Sequence, residues 1–265
     1  MRGLFGVLTG VFCLLMATTG GHATMRTQTV DYQVGDTAMQ GMLVWDDAVQ
    51  TPRPGLLMIP NWRGIYDDTL GFAKQIAGRD YVIFMGDMYG KATRPQSVDE
   101  AKAATAPLYA DRALMRERVG AAFEQLQTLT RQQAAPIDAS RLAAIGFCFG
   151  GTSVLDLARM GTDLAAVVSF HGGLSTDDAT QARNIKAWVL ALNGADDMGT
   201  KPDVPAFNEE MRQSSAPWEY VAYGGAVHCF AEPWAHSRGC MYNEPVARRA
   251  FARMRAWLDE AFGAR

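Results

Sequence analysis

Ile145-Gly146-Phe147-Cys148-Phe149-Gly150-Gly151 decides the reading of this chain. The stretch follows a short apolar run, Arg141 to Ile145, and opens a helix-like segment, Gly151 to Arg159. Glycines two residues either side of Cys148 permit a cramped turn from strand to helix that side chains would obstruct. Such a turn lifts the central side chain clear of the backbone; its strict form carries serine where this chain has cysteine. At the head of a helix the thiol also meets the positive end of the peptide dipole, which favours thiolate. Taken alone, the motif fits equally a structural cysteine buried in a tight turn.

Outward from that turn, short apolar runs alternate with helix-like segments. Thr27 to Val34 and Met39 to Trp45 read as an antiparallel edge pair. Gly55 to Ile59, Tyr81 to Met85, Leu164 to Phe170, Lys186 to Leu192 and Trp218 to Tyr223 read as further strands. Helices are expected over Asp67 to Ala77, Val204 to Arg212 and Pro245 to Phe262, with a long one from Val98 to Arg131 interrupted near Pro107. This alternation predicts an α/β protein: a mostly parallel sheet covered on both faces, a three-layer α/β/α sandwich.

Two further residues move Cys148 from structure towards chemistry. Asn193-Gly194-Ala195-Asp196-Asp197 directly follows a strand, where a carboxylate is well placed to orient an imidazole. Asp196 and Asp197 cannot both face one partner, and Asp197 is favoured; either also reads as a loop carboxylate capping a turn. His228 follows the last strand in Tyr223-Gly224-Gly225-Ala226-Val227-His228. His171, in Ser169-Phe170-His171-Gly172-Gly173, is the competing base, read rather as structural or pocket-lining. Only His228 completes the chain order nucleophile, acid, histidine found in α/β-hydrolase sheets. His236 reads as a surface residue. No paired short ligand spacing or H-E-x-x-H pattern points to a metal, and Gly146 to Gly151 is neither a dinucleotide fingerprint nor a P-loop. No cofactor is expected.

The chain has 265 residues, 48% hydrophobic and 20% charged, which suits one globular domain. A formal net charge of -3, with no basic tract, argues against a nucleic-acid partner and leaves a small organic substrate. Arg2, the apolar run Leu4 to Met16 and the small residues up to Ala23 read as a signal peptide over residues 1–23. A single domain over residues 24–265 and a periplasmic or secreted location follow, with no stable membrane association after cleavage. Removing Cys13 leaves Cys148, Cys229 and Cys240. An odd count leaves at least one thiol outside any intramolecular disulfide, and a Cys229–Cys240 pair would keep Cys148 free.

The stretches GLLMIPNWRG, FMGDMYG, ADRALMR, IGFCFGG, VVSFHGG, LNGADD and YGGAVHCFAEP resemble the dienelactone hydrolase family, the carboxymethylenebutenolidase-like branch of the α/β-hydrolases. The resemblance runs from about Gly55 to about Gly263. It implies the α/β-hydrolase fold with eight or slightly fewer strands and no large cap domain. It also implies activity on small esters and lactones, no cofactor, and the family's Cys, Asp and His at Cys148, Asp197 and His228. The chain departs from the family where members usually hold a glutamate that helps control the thiol; here Asn61 stands, in Pro60-Asn61-Trp62-Arg63-Gly64. Asn takes no proton at neutral pH, so direct activation of Cys148 by His228 is the simpler route.

The expected reaction is acyl transfer to water. Cys148 forms a thioester after His228 takes its proton and Asp197 balances the imidazole. The backbone N–H of Phe149 and of Asn61 or Trp62 would receive the oxyanion. Arg63 and Arg112 are candidates for binding a substrate carboxylate, and His171 for lining the pocket. The alternatives are thioester or other acyl hydrolysis by the same residues, and a non-catalytic small-molecule-binding protein on a hydrolase scaffold. The absence of Cys-x-x-Cys near Cys148 weighs against a redox protein.

Overall fold

The computed structural model describes residues 24–264. The signal peptide expected over residues 1–23 lies outside them. Eight strands form the central sheet in the order β1-β2-β4-β3-β5-β6-β7-β8. They are β1 (Met25–Val34), β2 (Thr37–Asp46), β3 (Arg53–Ile59), β4 (Val82–Met85), β5 (Ile137–Phe147), β6 (Ala166–Phe170), β7 (Trp188–Gly194) and β8 (Trp218–Tyr223). The first two are an antiparallel pair that joins β4 antiparallel, and every pairing from β4 to β8 is parallel.

The helices are α1 (Asp67–Ala77), α2 (Val98–Ala110), α3 (Arg112–Arg131), α4 (Phe149–Arg159), α5 (Val204–Met211) and α6 (Glu244–Gly263). The alternating side chains of the strands divide the core into two layers. Leu57 and Ile59 join a cluster with residues of α2, α3, α4 and α5, while Leu56 and Met58 join one with α1 and α6. Every residue of β3 is buried, which is why it reads as a continuous apolar run and not an alternating one. The chain has the α/β-hydrolase architecture: a mostly parallel sheet with helices on both sides. Among the described residues, no helix is long and apolar enough to cross a membrane.

Three local expectations are corrected. The long helical region breaks at Asp111, not at Pro107. Pro107 stays inside α2, where the Asp111 N–H donates to its carbonyl, and the Asp111 side chain accepts from the Ala113 and Leu114 N–H groups to start α3. Strand β5 begins earlier than its apolar run, because Ile137 and Asp138 pair with Arg53 and Pro54 before a register shift. A small hairpin, β9 (His236–Ser237) with β10 (Cys240–Met241), was not legible as strand. It carries Cys240, which forms a disulfide with Cys229 across a separation of 11 residues, leaving Cys148 as the free thiol among the described cysteines.

Helix α4 is anchored from beneath by charge. Arg159 is 1% exposed; its Nε lies 2.7 Å from Glu210 of α5, and its Nη1 3.0 Å from Asp156. Arg112 of α3 also donates to Asp156, at 2.7 Å. Removing one member of such a buried set strands the others without partners, at a cost of about 3–5 kcal/mol.

Candidate active site

Cys148 stands between β5 and α4 with φ 53°, a conformation uncommon outside glycine. The flanking glycines are required by contact. A Cβ on Gly146 would lie 2.1 Å from the Gly150 carbonyl oxygen, and one on Gly150 would lie 2.0 Å from that of Ile59. The second contact seats the first turn of α4 against the loop after β3, so Phe149 and the Asn61–Trp62 backbone share one end of the sheet. The opening N–H groups of a helix have no partner within it, so the Phe149 amide is suited to an incoming oxyanion.

His228 and Asp197 come to Cys148 from the loops after β8 and β7. His228 Nε2 lies 3.0 Å from Cys148 Sγ, and His228 Nδ1 lies 2.7 Å from Asp197 Oδ2. An ionised carboxylate only accepts hydrogen bonds, which places a proton on Nδ1 and turns Nε2 to the sulfur. The other Asp197 oxygen accepts the Gly199 N–H at 2.9 Å. Burial pushes the Asp197 pKa up, but the His228 bond and charge and the Gly199 N–H outweigh it and hold it below the ordinary value. For His228, burial disfavours the cation, yet Asp197 and Cys148 together push its pKa up to about 10. The site therefore favours an imidazolium beside the sulfur. Asp196 is exposed, and its N–H donates to the Ala226 carbonyl.

The disulfide adjoins this histidine. Cys229 has φ 60°, so the chain turns sharply just after His228. His228 is bridged to Cys240, and the Met241 N–H donates to the His228 carbonyl at 2.9 Å. The small hairpin thus holds the histidine backbone in place.

Other expected site residues are placed differently. His171 is 0% exposed, so it does not line a pocket open to substrate. Its Nδ1 accepts the Cys148 N–H at 3.2 Å, and burial, reinforced by nearby His228, holds its pKa well below the ordinary value. It is a neutral buttress behind Cys148. Arg112 is not a free carboxylate binder, because its guanidinium is engaged by buried Asp156. Arg63 lies over the Tyr66 ring, 4.7 Å from its centroid, while its N–H donates to the Asn61 side chain at 2.9 Å.

Three residues of the site escaped the sequence reading. Tyr89 stacks on Phe149 and donates its hydroxyl to the Trp62 carbonyl at 2.8 Å; Tyr109 meets Phe149 edge-on. Burial raises the pKa of both tyrosines, and the charge of Cys148 adds to it, so the two rings border the sulfur. Glu232 is 3% exposed, and its Oε1 accepts the Asn61 amide N–H at 2.6 Å. The only sequence signal for Glu232 was its place four residues after His228.

The chain is similar to known proteins over most of its length. Residues 39–262 match the model of the dienelactone hydrolase family. A solved metagenomic protein, described as a dienelactone hydrolase-like promiscuous phosphotriesterase, superposes with a TM-score of 0.82 at 33% identity, covering 91% of this chain and 99% of that one. An uncharacterised Caenorhabditis elegans protein is 32% identical over 48% of this chain and 84% of its own length. A Salmonella typhimurium protein assigned as a carboxymethylenebutenolidase is 29% identical over 48% of each chain. With the family match spanning nearly all of the sheet and every helix, the chain belongs to the dienelactone hydrolase family, α/β-hydrolase enzymes that hydrolyse carboxylic esters and lactones.

Proposed function

We propose that the protein is a cysteine-dependent hydrolase of small esters or lactones, working through a thioester on Cys148. The observation that carries this reading is the continuous contact from Asp197 through His228 to the sulfur. In the first half-reaction His228 holds the proton that leaves Cys148, and the sulfur attacks the acyl carbonyl. The carbonyl π pair moves to oxygen, facing the Phe149 amide and the Asn61–Trp62 backbone. Collapse expels the alkoxide or enolate, which takes the proton from His228. In the second half-reaction His228 draws a proton from water, the hydroxide attacks the thioester, and the carboxylic acid leaves as the thiol is restored.

The aromatic border formed by Tyr89, Tyr109 and Phe149 supports acyl or leaving groups that are flat and weakly polar. The engagement of Arg112 removes one reason to expect an anionic substrate. A disulfide beside the catalytic histidine supports a working place in an oxidising compartment, periplasmic or secreted.

The test is a panel of aryl esters, enol lactones, thioesters and an aryl phosphotriester against wild type and Cys148→Ala. Esters and lactones should be turned over, with an acyl adduct on Cys148 visible by mass spectrometry after rapid quench. A panel with no Cys148-dependent turnover would overturn the hydrolytic role of this cysteine. Faster turnover of thioesters or phosphotriesters than of every carboxylic ester would overturn the substrate class.

A further inference from the structure

A second carboxyl group lies inside the site, and the triad does not use it. Glu232 sits in a tight turn that begins at Cys229; its N–H donates to the Cys229 carbonyl at 3.0 Å, and its own carbonyl accepts from Ala235 at 3.0 Å. This turn is the segment that carries His228, clamped by the disulfide. The side chain points inward and ends on Asn61, from a loop 171 residues away in sequence. Asn61 is itself 3% exposed, and its two amide ends serve two masters: the nitrogen donates to Glu232, and the oxygen accepts the Arg63 N–H. The Asn61 carbonyl accepts the Gly64 N–H, which closes the loop into a turn. One buried bond therefore ties the histidine segment to the loop whose backbone faces the oxyanion.

We propose that Glu232 is a positioning residue of the acyl-transfer site, fixing the Asn61 loop through the side-chain amide and tuning the charge of His228. The proposal rests on the reading of Cys148 and His228 as nucleophile and base. It differs from control by a carboxylate on the oxyanion loop, because here that loop contributes an amide and the acid arrives from the histidine segment.

The electrostatics agree with the geometry. Burial pushes the Glu232 pKa up to about 7, even though the Asn61 bond and the charge of His228 both favour its ionised form. The carboxyl is thus poised to change charge in the neutral range. The titratable groups around it are His228 on its own segment and Tyr66 on the opposite loop; burial, with the charges of Glu232 and Asp68, holds Tyr66 at about 12, where it stays neutral. Arg63 lies over the Tyr66 ring, and neutral His171 packs edge-on against both His228 and Phe230. Of these, only His228 brings a charge that favours the ionised form of Glu232. When Glu232 ionises, it stabilises the His228 cation and so the state in which the sulfur has lost its proton.

The experiment compares wild type with Glu232→Gln and Glu232→Asp in full-length mature protein. Gln retains an oxygen for the Asn61 amide and removes the charge. The readouts are kcat and KM for an activated aryl ester and the iodoacetamide alkylation rate of Cys148, from pH 5.5 to 9. Wild type should show an inflection near pH 7 in both kcat/KM and alkylation. Glu232→Gln should lose that inflection and fall roughly tenfold above pH 7, while changing little at pH 5.5. Glu232→Asp, which keeps the charge, should restore the inflection in part. A Glu232→Gln profile that superimposes on wild type in shape and height would overturn the proposal. So would a uniform loss at every pH with the inflection retained, since that is the signature of a structural role alone. Either result leaves Cys148-dependent turnover intact, so failure here is distinct from failure of the hydrolase reading. Melting curves recorded alongside keep an unfolded variant from being scored as an inactive one.

Discussion

His228 Nδ1 lies 2.7 Å from Asp197 Oδ2, while Asp196, one residue earlier, is exposed to solvent. The two carboxylates therefore separate cleanly in a mutational test. Asp197→Asn should lower kcat/KM by roughly 10²- to 10⁴-fold, because the imidazole loses both its orienting partner and its favoured tautomer. Asp196→Asn should leave kcat/KM near wild type. Steady-state kinetics on one aryl ester decide it, and equal losses in both variants would refute the assignment.

Asp197 and Glu232 contribute to stability with opposite pH dependence. The native pKa of Asp197 is lowered, so its contribution is present above the unfolded value near 4 and is lost as pH falls through the native one. The native pKa of Glu232 is raised from 4.5 to about 7, so its contribution is present below 4.5 and is lost as pH rises through 7. Above pH 7 the buried carboxylate costs on the order of 3 kcal/mol relative to a neutral group. Glu232→Gln should therefore gain several degrees in Tm relative to wild type on moving from pH 5 to pH 8. Calorimetry at the two pH values measures the difference; a constant offset would contradict it.

The disulfide should matter for both stability and geometry. Replacing Cys229 and Cys240 by Ala should cost on the order of 2–3 kcal/mol, the usual effect of opening a short loop. Because Met241 and Cys240 also hold the His228 backbone, kcat/KM should fall at temperatures where the variant remains folded. Alkylation of the unreduced wild-type protein should label Cys148 and leave the pair unmodified. Labelling of all three thiols would show that the bond does not form.

Arg112 should behave as a support of the fold and not as a substrate contact. Arg112→Ala should destabilise by roughly 3 kcal/mol, since it leaves the buried Asp156 short of a partner. The ratio of KM for an anionic ester to that for its neutral analogue should stay unchanged. Denaturant titration and paired kinetics test the two halves, and a KM rise confined to the anionic ester would restore Arg112 to the pocket.

The glycines of the turn predict a contrast with one on the surface of α1. Gly150→Ala places a methyl 2.0 Å from the Ile59 carbonyl oxygen and should abolish soluble, active protein. Gly71→Ala meets nothing within 4 Å and should stabilise α1 by about 0.5–1 kcal/mol. Melting temperatures of the two variants give the comparison.

Cys148, Asp197 and His228 were readable because each follows a strand in a locally distinctive setting, and the order of strands brings their ends to one edge of the sheet. The strands were readable for a related reason: a parallel sheet buried on both faces demands continuous apolar runs such as Leu56 to Ile59. The end of α2 was misplaced because a cap at Asp111 outweighed the proline inside it. The pairing of Arg112 with Asp156 was not legible because the partner lies 44 residues further along the chain. From its place at a strand end His171 read as either structural or pocket-lining, and only the packing around it, including Phe230, makes it a buried neutral support.

Local sequence thus determined which residues could do chemistry and which way the chain would turn at each of them, because backbone conformation and strand burial depend on near neighbours. Tertiary structure alone decided which carboxylates are desolvated. Glu232 is an ordinary polar residue in a loop until the Asn61 turn closes over it, and burial together with a single amide partner then gives it a charge that depends on pH in the neutral range.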